Sequence, residues 1–399
     1  MGVPRGPGGT LADDVNGDGH SDALIVSERA EGVRFLTVLY GSRGGLAPER
    51  RTVVQTGGQK LWLLGGSWRA RRPDTADLDG DGFADIPVLL WSRNSTWPVL
   101  RVIWGGPEGP VADGLSPTVP VPAAERLTSD WPATGDFDGD GHPDLVFAVP
   151  DSGTPEKGAY TVLYGPFGRD GTPRRTVTAL SPEIGKYRRY LGWVVADRIR
   201  PGRRTGLIIH AGDDGEQTGA VVLPQVPPST VHLLGPGNAI ASGDFDGDGR
   251  VDVAVGDDGS RNDEPGYETS GATNALTVYY GRAPQAPVTI PIPHIHDKLT
   301  AADVDGDGRD DLVLQVGDQV EVRTRGLSTT RTLGPFRCPT RDRLERRPGA
   351  VRAGDYDGDG RAEVLISCWS YIFGRDPKLW WVWDANGPGI RFDTTGFTP

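Results

Sequence analysis

The chain has 399 residues, 58 of them glycine and 34 proline, with a modest 36% hydrophobic content. That composition suits many short strands joined by turns. No apolar run approaches the roughly 20 residues of a membrane-spanning helix, and no basic stripe marks a nucleic-acid surface.

Met1-Gly2-Val3-Pro4-Arg5 is not followed by an apolar signal core. Two compartments stay open: a secreted protein whose signal was removed and a start Met added, or a cytoplasmic one. Met1 is the only methionine, which fits either.

At Asp14 the first of six related nine-residue stretches begins; the others begin at Asp77, Asp136, Asp244, Asp303 and Asp355. The cleanest is Asp244-Phe245-Asp246-Gly247-Asp248-Gly249-Arg250-Val251-Asp252. Carboxylates at positions 1, 3 and 5 of a tight loop converge when glycines at 4 and 6 let the backbone curl. Such a set of hard oxygens suits calcium, with the carbonyl of position 7 and the carboxylate of position 9 completing the shell. Without a cation three carboxylates within five residues repel one another, which disfavours a plain acidic turn.

The ligand set is therefore Asp14, Asn16, Asp18 and Asp22; Asp77, Asp79, Asp81 and Asp85; Asp136, Asp138, Asp140 and Asp144; Asp244, Asp246, Asp248 and Asp252; Asp303, Asp305, Asp307 and Asp311; Asp355, Asp357, Asp359 and Glu363. Asn16 keeps an oxygen but drops a charge, and Glu363 still coordinates. An EF-hand would close with Glu at position 12, where Val255 stands, and the run 251–255 is β-branched. Each loop opens into a strand. About six structural calcium ions would bring the net charge of −12 to zero, so the acidity says little about partners.

The loop starts are 63, 59, 108, 59 and 52 residues apart. The long step hides a further unit around Asp197, where Arg200, Arg203 and Arg204 replace carboxylates. No calcium is expected there; the arginines read as solvated in preference to bridging the turn. Each of the seven units, averaging 57 residues, runs from a short segment into the acidic loop, an apolar strand, a second strand often closing on an aromatic-glycine pair (Tyr40-Gly41, Tyr164-Gly165, Tyr280-Gly281), and a weaker fourth segment such as 175–180. No helical period of useful length occurs. Four short strands repeated seven times predict an all-β, seven-bladed β-propeller with calcium-binding hairpin loops, one domain spanning residues 1–399.

Over residues from about 10 to 395 the repeats resemble the FG-GAP/VCBS family of integrin-α-like seven-bladed propellers, on the Asp-x-Asp-Gly-Asp-Gly-x-x-Asp loops and the aromatic-glycine strand ends. The resemblance implies metal loops on one face and ligands on the opposite one. It does not fix function, since such propellers serve adhesion, lectin and catalytic roles. By that mapping the ligand face draws on residues 91–97, 151–158, 213–218, 257–274 and 369–378, and on 59–72, 128–131, 184–193, 293–298 and 335–349.

Within those loops Trp62, Trp68, Trp97, Trp131 and Trp193 are candidates for stacking on a ligand. Packing between blades is the plainer role for any single tryptophan, and Trp381 and Trp383 in an alternating strand suit it. His294 and His296, beside Asp297, could hold a metal or act as a base, though a third ligand is lacking and a structural role is the plainer one. Tyr187, Arg188 and Tyr190 could recognise an anion or sugar acid, against the plainer exposed basic turn. Cys338 and Cys368 suit a disulfide, which would argue for an oxidising compartment; two buried thiols are the alternative.

No nucleophile elbow, phosphate loop or zinc-protease motif occurs. The expected function is that of a secreted, monomeric, calcium-stabilised protein binding a glycan, a protein or a small molecule. The alternative is an enzyme, lyase- or dehydratase-like or a small-molecule tailoring enzyme, with its pocket at the channel mouth.

Overall fold

The structure, a computed structural model, describes residues 6–29, 33–54, 60–61, 74–91, 98–110, 115–121, 132–150, 158–180, 193–196, 204–210, 217, 219–224, 226, 231–258, 261, 274–281, 286–292, 299–316, 319–338, 346–370, 379–384 and 387–397. Its strands form seven antiparallel sheets. The first holds β1 (Ala23–Arg29), β2 (Val33–Leu39) and β3 (Arg51–Val54), and the second β4 (Lys60–Leu61), β5 (Ile86–Trp91) and β6 (Val99–Ile103). The third holds β7 (Ala133–Gly135), β8 (Asp144–Pro150), β9 (Gly158–Tyr164) and β10 (Arg175–Leu180). The fourth holds β11 (Trp193–Ala196), β12 (Leu207–His210), β13 (Ala220–Leu223) and β14 (His232–Leu233). The fifth is β15 (Ala239–Gly243), β16 (Asp252–Gly256), β17 (Ala275–Tyr279) and β18 (Val288–Pro291). The sixth is β19 (Leu299–Ala302), β20 (Asp311–Val316), β21 (Gln319–Thr324) and β22 (Thr329–Leu333). The seventh is β23 (Arg346–Gly354), β24 (Glu363–Ser370), β25 (Leu379–Asp384) and β26 (Gly387–Asp393). Every sheet is a meander in sequence order, and the architecture is an all-β propeller.

Successive strand residues point to opposite faces, and here each face meets a different neighbouring sheet. Leu312 and Leu314 of β20 pack with the fifth sheet, while Val313 between them packs with Val364 and Ile366 of the seventh. Leu365 turns the other way, toward Ala23, Ile25 and Leu39 of the first. Leu24 and Val26 then join the core shared with Ile86 and Val88. The remaining junctions are filled by Leu145 and Leu163 against the second sheet, by Val162 against Leu207 and Ile209, and by Ile208 against Val253 and Val255. The last sheet thus packs on the first. This double burial explains why the second strands are nearly continuous apolar runs. The outer strands β10, β18 and β22 are largely exposed, and β10 and β22 carry both Thr and Arg.

In the first unit, residues 6–13 make no strand. The amides of Gly6, Gly8 and Gly9 instead bond Asn16 O, Gly17 O and Gly82 O, at 3.2, 3.2 and 2.7 Å. Trp381 and Trp383 are buried between the sixth and seventh sheets, edge-on to Phe336 at 5.4 and 5.8 Å, as the alternating pattern predicts. Trp380 faces the first sheet. Cys338 and Cys368 form a disulfide, tying the connection after the sixth sheet to β24.

Candidate metal loops and the face they share

From the second unit on, each acidic loop lies between the first and second strands of its sheet region, as between β7 and β8 or β15 and β16. Its glycines at positions 4 and 6 are left-handed, with φ +77° and +89° at Gly139 and Gly141, which only glycine adopts without strain. The curl aims backbone amides at the first carboxylate. Asp136 Oδ1 accepts from Gly139 and Asp140 at 2.7 and 3.1 Å, and Oδ2 from Gly141 at 3.0 Å. The same pattern recurs at Asp77, Asp303 and Asp355.

Position 9 is the inner anchor. One oxygen of Asp22, Asp85, Asp144, Asp252, Asp311 and Glu363 accepts the position-2 amide at 2.7–2.9 Å. In four units the other oxygen accepts the amide of the glycine in an aromatic-glycine pair, from Gly41 at 3.0 Å and from Gly105, Gly165 and Gly281 at 2.8 Å. A side chain at these glycines would strike the position-8 carbonyl. A Cβ would lie 2.3 Å from Ser21 O, 2.5 Å from Ala84 O, 2.3 Å from Pro143 O and 2.4 Å from Val251 O, respectively. Trp104-Gly105 belongs to this series although its aromatic is not a tyrosine.

Burial, with neighbouring carboxylates adding to it, pushes the position-9 acids upward: Asp85 and Glu363 to about 8, Asp144 and Asp311 to about 7, Asp252 to about 6, and Asp22 well above the ordinary range. Backbone amides act in the opposite direction and are outweighed. A proton or a cation would relieve these groups.

Five loops bring three or four carboxylates together with oxygens within 4.8 Å of one another: Asp77, Asp79 and Asp85; Asp136, Asp138 and Asp144; Asp244, Asp246 and Asp248; Asp303, Asp305 and Asp311; and Asp355, Asp357, Asp359 and Glu363. Asp81, Asp140, Asp252 and Asp307 belong to the same loops outside these sets. Asp138 Oδ1, Asp305 Oδ1 and Asp311 Oδ1 are buried with no hydrogen-bond partner. Orphaned anionic oxygens facing one another fit a hard cation with oxygen ligands. In the first loop Asn16 turns its amide nitrogen to Asp18 Oδ2 at 3.1 Å, beside Asp14 and Asp22.

Two loops also carry arginines on their outer oxygens. Arg169 pairs with Asp79 and Asp81, and Arg174 with Asp138 and Asp140 at 2.8 and 2.6 Å. These arginines are about half exposed, so solvent screens the pairs.

In the fourth unit Thr205 occupies position 8, since its amide bonds Asp136 O at 2.6 Å as Ala84 bonds Asp14 O and Asp310 bonds Asp244 O. Position 9 is then Gly206, which has no carboxylate. Arg204 is exposed and lies across Gly139 of the preceding loop. Asp197, Arg200 and Arg203 lie outside the described residues, as do Trp62, Trp68, Trp97, Trp131, Tyr187, Arg188, Tyr190, His294 and His296 of the expected ligand face. Trp193 starts β11, but its side chain is likewise outside them.

At the far end of β16, away from loop 244–252, a buried polar cluster joins the fourth and fifth units. Gln217 donates to Asp258 at 2.5 Å, Asn238 N donates to Gln217 Oε1 at 3.0 Å, and Arg261 forks onto Asp257 at 2.7 and 2.8 Å. Gln217 falls in the expected ligand-face stretch 213–218, and Asp257, Asp258 and Arg261 in 257–274; sequence reading missed Asn238, which sits in no repeated pattern.

Family comparison agrees with this geometry. The FG-GAP-like repeat matches residues 244–314 and 303–366, and the FG-GAP repeat matches residues 130–163. The protein is a β-propeller, and it carries FG-GAP and FG-GAP-like repeats. No curated protein matches it. Among solved structures it is similar to a chain of a nidogen/laminin complex (11% identity, 79% of this chain and 94% of that one, TM-score 0.40). It is also similar to a six-bladed fucose-recognising fungal lectin from Aleuria aurantia (12%, 79% and 93%, TM-score 0.38) and to the Dos1 propeller (9%, 98% and 95%, TM-score 0.38). At such scores neither ligand nor blade number transfers from those proteins.

Proposed function

We propose that this chain is a calcium-stabilised extracellular binding protein, a single domain over residues 1–399 whose seven sheets are the blades of one ring. The observation that carries the reading is the repeated acidic loop with buried, unpartnered carboxylate oxygens at Asp138, Asp305 and Asp311. In each loop positions 1, 3, 5 and 9 would hold the ion, together with the position-7 carbonyl, and calcium would supply the charge that lets these acids stay ionised together. The core shared by the last and first sheets supports one ring. The disulfide supports an oxidising compartment.

With metals on one side, the opposite loops are left to recognise a glycan or a protein, and FG-GAP repeats on a propeller favour binding over catalysis. The enzyme alternative rests on runs 187–190 and 294–297, and nothing among the described residues favours it. A glycan and protein array probed in calcium and in EDTA tests the proposal. Binding that requires calcium is expected, and an array with no ligand in calcium would count against it.

A further inference from the structure

The acidic loops are not independent of one another. The position-8 amide of one loop donates to the position-1 carbonyl of the loop before it: Ala84 to Asp14 at 2.9 Å, Asp310 to Asp244 at 2.9 Å and Ala362 to Asp303 at 2.7 Å. Asp310 closes this contact in both directions, since its Oδ2 accepts the amide of Asp244 at 2.8 Å. The position-7 side chain lies across the preceding loop's position-4 glycine. A Cβ on Gly247 would sit 3.0 Å from Arg309 Nε, and one on Gly306 would sit 2.9 Å from Arg361 Cγ. Residue 8 stands between residues 7 and 9, both proposed members of the cation shell, and it holds residue 1 of the preceding shell.

Each ion that fixes residues 7 and 9 therefore also fixes the donor that orders the preceding loop's first ligand. The junction between loops 77–85 and 136–144 differs: position 8 there is Pro143, which has no amide hydrogen to donate.

Resting on the calcium reading above, we propose that loops 244–252, 303–311 and 355–363 take up their cations as one linked block. Occupancy of each loop raises the affinity of the loop before it, through Asp310 and Ala362. Loop 77–85 is filled without such help from loop 136–144.

Hydrogen exchange with mass spectrometric readout follows each loop peptide separately during a calcium titration of the full chain. Asp307→Ala removes an exposed ligand from loop 303–311 and should raise the calcium concentration that protects peptide 244–252 by about five-fold or more, the scale of ordinary coupling between sites. Asp310→Ala removes no ligand and should shift the same peptide in the same direction. Asp140→Ala should leave the midpoint of peptide 77–85 within about two-fold of the wild type. Strand peptides protected as in the wild type at saturating calcium confirm that each variant folds. An unmoved 244–252 midpoint in Asp307→Ala overturns the linkage, and an unmoved one in Asp310→Ala alone overturns the part of its route that runs through the Asp310 carboxylate, since the backbone amide stays. If no wild-type loop peptide gains protection in calcium, it is the calcium reading itself that fails.

Discussion

At position 9 of each loop one carboxylate has several tasks. Asp252 receives the amide of Phe245 on one oxygen and that of Gly281 on the other, so it joins the start of its loop to the end of the neighbouring strand before any ion is considered. Gly281 is therefore a steric requirement. A methyl group there would stand 2.4 Å from the backbone carbonyl of Val251, a contact that no rotamer change relieves. Gly281→Ala should destabilise the protein by about 1–3 kcal/mol, the usual cost of overpacking. Gly396→Ala, with nothing within 4 Å, should be close to neutral. Thermal melts of the two variants check this; equal melting temperatures would remove the steric role. The aromatic-glycine pairs were visible in the sequence as a recurring strand ending, but their purpose was not. The partner amide and carboxylate are 19 to 29 residues apart in Asp22–Gly41 and Asp252–Gly281, and only the folded register brings them together.

Among the elements, β24 shows how local pattern becomes architecture. Val364 and Ile366 face the sixth sheet and Leu365 the first, so its alternation is read by two different cores. Cys368, on the same face as Val364 and Ile366, is joined to Cys338. A bond closing a loop of this length contributes about 3.5 kcal/mol, mainly by restricting the unfolded chain. The double variant Cys338→Ala/Cys368→Ala should lower the melting temperature, while reducing agent should lower that of the wild type and leave the variant unmoved. An identical response of both proteins to reductant would contradict a structural bond. Strands of this kind were legible because burial on both faces writes a dense apolar run. The strand-free course of residues 6–13 was not, since they spend their glycine amides on loop carbonyls.

For the whole molecule, the repeat was the most legible feature and the expected ligand face the least. The reason is physical. A metal loop needs the same residue types at the same positions every time it recurs, whereas a recognition surface repeats nothing. Tryptophan illustrates the ambiguity, because Trp104, Trp380, Trp381 and Trp383 are all buried in cores, and composition alone does not separate such packing from stacking on a ligand.

The charge pattern does give a whole-molecule prediction. In metal-free protein the position-9 acids titrate well above the ordinary carboxylate range, at about 6 to 8 where values are resolved, because burial favours their neutral form. A raised carboxylate pKa means that the folded state holds the proton more tightly than the unfolded chain. That stabilisation is present below the ordinary pKa of about 4 and is lost as pH rises through about 8. Calcium bound at these loops would reverse the dependence by favouring the ionised form.

The most direct test is the melting temperature measured in calcium and in excess chelator at pH 5 and at pH 8. The chelated protein should melt below the calcium-loaded one, and the gap should be wider at pH 8 than at pH 5. Coincident melts at pH 8 would contradict the assignment of the acidic loops as cation sites.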